Sequence, residues 1–212
     1  MQPIANKIAK KQAGYSLVEL SVALAIVAVI LVGGLMGTRQ IQLTNNVNNQ
    51  LKDSAQVIAK ITRQFQNAMD TSGATTANLV PLSYWPKERF TNTSTASGTS
   101  TIVKTEVRGV IAGSNEYIFP NEEDEGKLAK QTGFVYYFQK VPSAACADMV
   151  LGLDNMAYAI YAGNSSGMTP AGKKSSLTEV KAADAATVSA AKMATGCNST
   201  APQVDIAAFI RL

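Results

Sequence analysis

The sequence predicts an α+β fold: one very long N-terminal helix, its apolar half protruding, laid on an antiparallel sheet of about four to five strands. Three observations carry that expectation. Residues 20–36 are almost purely Leu, Val, Ile, Ala and Gly, and no charge occurs between Leu20 and Thr38. Beyond Arg39, apolar residues recur at steps of three and four as far as Met69, which marks one face of an amphipathic helix. From Val103 to the end, short segments alternate apolar and polar side chains, as strands with one solvated face do.

The helix is expected to begin at Ser16 and run unbroken. Its first part, within residues 15–38, is apolar all round, which suits a membrane or a crowded fibre core. Gly33, Gly34 and Gly37 close this part, and each costs about 1 kcal/mol relative to Ala in a helix interior. They serve either close approach of helices in a bilayer or a helix that can stretch and melt locally. In the second part, residues 39–71, the stripe is Val47, Leu51, Ala55, Ile58, Ile61, Phe65 and Met69. Such a stripe normally packs on its own domain, and Thr71-Ser72-Gly73 is expected to stop it. At 1.5 Å per residue a helix over 16–70 is about 80 Å long, so half of it must extend beyond any head of this size.

Residues 72–212 are expected to form the head. Thr75-Thr76 caps a short helix ending by Pro81, and the chain's one Trp, Trp85, is expected in the core. Residues 91–101, rich in Thr, Ser, Ala and Gly, read as an exposed loop. Strands are expected at 103–111, 117–119, 134–141, 156–162 and 204–212, and in the last Val204, Ile206, Ala208, Ile210 and Leu212 share a face. A helix over 144–151 has Ser143 as N-cap and Gly152 after its end. Ser176 with Glu179 matches a capping box, and Asp184 can cap a further helix over 185–195, ended by Gly196.

Composition removes several functions. Of 212 residues, 19 are basic and 15 acidic, but residues 1–14 hold three of the bases and no acid, so the rest carries only +1. No basic stripe with interleaved aromatics appears, and no nucleic-acid partner is expected. Histidine is absent, which removes His-based triads, Cys–His dyads and His-ligated zinc. Glu122-Glu123-Asp124-Glu125 lies between Pro120-Asn121 and Gly126 and reads as a solvated turn. It lacks the alternating oxygen ligands around a central Gly of a calcium loop, so neither metal nor cofactor is expected. Lys173-Lys174-Ser175-Ser176 follows Pro170-Ala171-Gly172 and reads as an exposed loop. Nothing supports an enzyme. Cys146 and Cys197 lack the C-x-x-C spacing of a zinc or redox site. They are either a disulfide formed outside the cytoplasm or two buried free thiols. If bridged, they would tie the helix after strand 134–141 to the residues before the last strand. Closing such a loop stabilises by about 4 kcal/mol in the chain-entropy model.

The most informative residue is Glu19, the lone acid at the head of the apolar run, preceded by Lys7, Lys10 and Lys11. An unpaired carboxylate costs roughly 2.5 kcal/mol or more at the centre of a membrane helix and less near its end, so it is functional by default. A secretory signal has a core of about 7–15 apolar residues and a small-residue cleavage site, and neither fits here. A plain signal anchor fits the length, since the run can nearly span a hydrocarbon core of about 30 Å. The lysines would then keep the N-terminus cytoplasmic, yet such an anchor has no use for Glu19.

The pattern Lys10-Lys11-Gln12-Ala13-Gly14-Tyr15-Ser16-Leu17-Val18-Glu19 resembles the processing site of type IV prepilins, a basic leader ending in Gly with Glu at the fifth mature position. The late cysteine pair, bracketing helices and a strand before the terminal strand, resembles the disulfide-bounded region of type IVb pilins. A non-Phe first mature residue, Tyr15, and a proline-free apolar helix lean the same way, whereas a 14-residue leader is short for that subclass. The stretch from Thr75 to Phe90, with Trp85-Pro86-Lys87-Glu88-Arg89-Phe90, is similar to pilins of thin pili made by conjugative plasmids.

The resemblance implies a pilin fold with a Cys146–Cys197 disulfide and a cleaved leader, residues 1–14. A prepilin peptidase would cut between Gly14 and Tyr15 and N-methylate Tyr15; Gly14 leaves the backbone unobstructed there. The prepilin would sit in the inner membrane with its head in the periplasm. The inner-membrane assembly machinery would then stack it with copies of itself into an extracellular fibre. There Glu19 would meet a Tyr15 ammonium and set register more than affinity, while burial of residues 20–36 supplies most of the assembly free energy. The implied role is structural, in adhesion, aggregation or conjugative mating. The alternatives are a minor pilin or type II secretion pseudopilin, and a membrane-anchored binding domain that never polymerises.

Overall fold

The computed structural model describes residues 16–68, 70–97, 100–122, 129, 131–164, 177–198 and 200–212, without the side chains of Met36, 90–97 and 100–105. Gly14, Tyr15, Met69, Glu123, Asp124, Glu125 and the Lys173–Ser176 run lie outside the described residues. The chain divides into two units, Met1–Gln42 and Leu43–Leu212. Helix α1, Leu17–Phe65, has residues in both.

In the first unit, every described side chain from Ser16 to Gln42 is exposed. Its helical part is long and apolar enough to cross a membrane. The two hydroxyls in the apolar run turn back onto the helix. Ser21 Oγ donates to the Val18 carbonyl (2.8 Å) and Thr38 Oγ1 to the Leu35 carbonyl (3.0 Å), the usual way a helix absorbs such groups.

The second unit is an α+β head on a seven-stranded antiparallel sheet of order β1-β2-β3-β4-β7-β5-β6. The strands are β1 Phe90–Ser97, β2 Ser100–Arg108, β3 Asn115–Pro120, β4 Gly133–Pro142, β5 Ala159–Asn164, β6 Thr178–Lys181 and β7 Gln203–Arg211. Helix α2 is Thr76–Leu79, with short 3-10 turns at Val80–Leu82 and Lys87–Arg89, and α3 is Ser143–Leu153 and α4 Ala190–Cys197. One sheet face carries the main core: Ile118, Phe134, Tyr136, Phe138, Ile160, Ile206, Ala208 and Ile210 meet Val47, Val57, Ile58 and Ile61 of α1 in one cluster. The other face gathers Val135, Tyr137, Tyr161 and Phe209, with Tyr117 and Phe119 half-buried beside them.

Several expectations hold. Val204, Ile206, Ala208 and Ile210 share the main core with Leu212 packed against it, and Trp85 is 2% exposed. The Thr75 side chain caps α2 by accepting from the Asn78 amide. Others are corrected. The sheet has seven strands rather than four to five, because β6 is a strand as well and because residues 91–97 and 100–101 are not a loop but belong to β1 and the start of β2, paired from Phe90↔Val107 to Ser97↔Ser100. Their Thr and Ser content reads as loop, but Thr also suits a pleated ladder.

The expected helix after Ser176 gives way to β6. There Val180 enters the core and Lys181 Nζ turns inward, donating to the Ala157 carbonyl (2.9 Å) and pairing with Asp154 (3.0 Å). Helix α4 therefore starts later than expected, capped by Ser189, whose side chain accepts from the Lys192 amide. Asp184 instead sits in a left-handed turn at φ 63°. No side chain caps α3, whose N-cap residue is Pro142 rather than Ser143. The first helix also ends before Thr71. Asp70 accepts from the Ser72 amide (2.7 Å), an Asx turn, and Thr71 Oγ1 donates to the Gly133 carbonyl (2.6 Å). Docking this turn on β4 competes with another turn of helix and prevails.

Candidate functional site

Two regions carry the chain's notable polar chemistry. The first is the head of α1. Glu19 lies in the first helical turn, and among the described residues nothing within 17–38 but Glu19 bears a charge. A carboxylate there faces the positive end of the helix dipole, worth about 0.3–1 kcal/mol. Leu17 is 86% exposed, and no partner reaches Glu19 among the described residues. A Cβ added at Gly33, Gly34 or Gly37 would meet nothing within 4 Å, so this chain's own packing makes no demand for glycine there. The surface is apolar along its length with one acid at its start.

The second region lies under α1 in the head. Glu116 on β3 is fully buried and its carboxylate is surrounded by donors. Gln50 Nε2 (2.9 Å) and Arg89 Nη2 (2.5 Å) donate to Oε1; Trp85 Nε1 (2.9 Å) and the Tyr136 hydroxyl (2.7 Å) donate to Oε2. Arg89 continues outward, with Nη1 on Asp53 (3.0 Å) and Nε donating to the Arg108 carbonyl (2.7 Å). Gln50 Oε1 accepts from the Ile111 amide (3.0 Å). One carboxylate thus joins α1, the 83–89 connector, β3 and β4. Burial pushes the Glu116 carboxyl above its usual range, while Arg89, Tyr136 and Trp85 pull it back down. Burial and the adjoining Glu116 charge push Tyr136 up as well.

Both carboxylate oxygens of Glu116 are already taken by donors from α1, the connector and β4, so the cluster acts as a fastening between these segments. The sequence reading missed it because Gln50, Ser54 and Glu116 carry no hydropathy signal. A signal did exist in phase: Gln50 and Ser54 fall on the same helix face as Val47, Val57 and Ile61, and Glu116 alternates with Ile118 and Pro120 in β3.

Of the expected site residues, Gly14 and Tyr15 lie outside the described residues and Glu19 belongs to the first unit. Cys146 on α3 and Cys197 at the end of α4 form a disulfide, with Cα atoms 5.5 Å apart. It encloses β5 and β6 and holds α4 close to the sheet, where a Cβ on Gly196 would stand 2.9 Å from the Ala162 carbonyl oxygen. Among the described residues no cluster of three or more acidic or Cys side chains could hold a metal.

Residues 9–35 match the family model described as the prokaryotic N-terminal methylation motif. Among solved structures, the type IV b pilin from Salmonella typhi is similar with a TM-score of 0.47 and 16% identity, over 77% of this chain and 98% of that one. Comparison with curated proteins gives no match.

Proposed function

We propose that this chain, which carries the N-terminal methylation motif of type IV prepilins, is a structural pilus subunit, processed at the inner membrane and assembled into an extracellular helical fibre. One observation carries the reading: the motif over residues 9–35 lies on an exposed apolar stretch of helix, residues 17–38, whose single charge is Glu19. The peptidase cut falls between Gly14 and Tyr15, and Tyr15 receives the methyl group. The mature subunit waits in the membrane, held by the apolar helix. On assembly that helix leaves lipid for the flanks of neighbouring helices, and Glu19 takes a Tyr15 ammonium, its own or a neighbour's, as partner.

A buried carboxylate without a partner costs several kcal/mol, so the pair rejects wrong offsets along the axis. Apolar burial supplies the bulk of the affinity. The same motif also serves a minor pilin or a secretion pseudopilin, and fibre length separates these from a main subunit. Conjugative mating, adhesion and aggregation are the uses such a fibre would have.

N-terminal sequencing and electron microscopy of material sheared from cells test the reading. Long fibres whose subunit begins at methylated Tyr15 are expected; an uncut N-terminus with no fibres would refute it.

A further inference from the structure

We propose that β1 is an open sheet edge that pairs, antiparallel, with β1 of a second copy of this chain in a neighbouring fibre. The inference rests on the polymer reading above and deepens it. An edge strand presents a row of unpaired N–H and C=O groups, and proteins blunt such edges with shortness, charge, Pro or a bulge. The two edges of this sheet are β1 and β6, and one of them is blunted. β6 has four residues, carries Glu179 and the inward-turned Lys181, and meets β5 with a register shift between Ile160 and Tyr161. β1 has eight residues, with no charge and no Pro among them, and its pairing with β2 runs through all eight without a shift.

The backbone around β1 also calls for a third strand. β2 meets β3 at Val107 and Arg108, so among the described residues its positions 100–106 pair with β1 alone. A two-stranded ribbon is marginal in water, and three strands are needed for independent stability. Another copy's β1 supplies the third strand through main-chain hydrogen bonds. One antiparallel register pairs all eight residues of β1 with all eight of its copy. It sets Phe90 opposite Ser97, Thr91 opposite Ala96, Asn92 opposite Thr95 and Thr93 opposite Ser94, so no like charges meet. Such a contact is isologous, the same patch on both copies, whereas subunits stacked along a polar helical fibre touch through heterologous patches. The β1 contact therefore falls between two fibres, and it bundles them side by side.

Electron microscopy of purified sheared fibres at low ionic strength, where charge is least screened, is the test. Wild-type fibres are expected in lateral bundles. Asn92→Lys with Thr95→Lys sets like charges directly opposite and should lower the bundled fraction about tenfold with fibre yield unchanged; Asn92→Glu with Thr95→Glu should do the same. Mixing the two variants should restore bundles that contain both, which a merely damaged strand could not do. An arm that needs no variant to fold adds a peptide of residues 90–97 in excess to wild-type fibres. It should cap the edge and disperse the bundles, and a scrambled peptide should not. Wild-type fibres that stay single, bundling indifferent to charge or peptide, or a mixture that stays single would each overturn the pairing and leave the polymer reading intact. A wild type that makes no fibres refutes the polymer reading and the pairing with it.

Discussion

At the residue scale, Glu116 shows how much one buried carboxylate can organise. Removing one partner of a buried pair costs about 3–5 kcal/mol, since the other is left uncompensated. Glu116→Ala would strand Arg89, Trp85 and Tyr136 and should lower the urea midpoint of the detergent-solubilised chain accordingly. Gly109→Ala should act on the same cluster. A Cβ there would stand 2.0 Å from Ser114 Oγ and 2.7 Å from Gln50 Nε2, so Gln50 must give up Glu116; destabilisation of about 1–3 kcal/mol is expected from the polar group left unsatisfied.

The sign of the pH dependence follows from the burial of Glu116. Its folded carboxyl titrates above the ordinary 4.5, so the folded state holds that proton more tightly than the unfolded chain does. The contribution to stability is full below the ordinary value and is lost as pH rises through the raised one. Asp205, buried beside the Tyr137 hydroxyl and raised above 3.8 by desolvation, shifts stability the same way. Urea titrations across this range should show wild type losing more stability with rising pH than Glu116→Gln. Parallel curves would contradict the assignment.

At the element scale, the closest approaches are made where glycine permits them. Gly152 on α3 faces Leu51 of α1, and a Cβ there would stand 2.2 Å from Leu51 Cδ1 and 3.0 Å from its Cγ. Overpacking of this kind costs about 1–3 kcal/mol. Gly152→Val should therefore loosen α3 from α1, seen as faster amide exchange in both helices. Reducing the Cys146–Cys197 bridge should cost about 2–5 kcal/mol, and amide exchange should rise first in α4 and in β6, whose Val180 lies against Gly196 of α4. Every described side chain of α1 as far as Gln42 is exposed. Glu19→Ala is therefore expected to leave the thermal melt of the head unchanged while abolishing sheared fibres. Normal fibres from that variant would remove the register role.

At the scale of the whole molecule, the two units answer to different solvents. Leu43–Leu212 buries aromatic and aliphatic side chains on both faces of its sheet and closes itself with a disulfide. Met1–Gln42 keeps its apolar helix exposed, at a free-energy cost in water that only lipid or neighbouring helices can offset. The first was partly legible from pattern: β2, β3, β4, β5 and β7 overlap the runs read as strands, although only β3 keeps alternate residues out of the core, and β4, β5 and β7 are buried on both faces. The strand β1 and the start of β2 were not legible, since Thr and Ser serve loops and strands alike. Nor was β6, whose identity depends on Lys181 reaching the carbonyls at the end of α3.

The expectations for the N-terminal segment came from the sequence alone: Lys10-Lys11, Gly14-Tyr15, Glu19 and the apolar run are contiguous, and reading them needs no distant contact. The sequence also determined that α1 is one long helix, because 3.6-residue periodicity is local. Only the tertiary structure decided that Gln50 and Ser54 face inward and that Glu116 fastens four segments. It alone decided that Arg89 pairs with Asp53. Those facts depend on partners 20 to 66 residues apart along the chain, and no local pattern records a partner at such a distance.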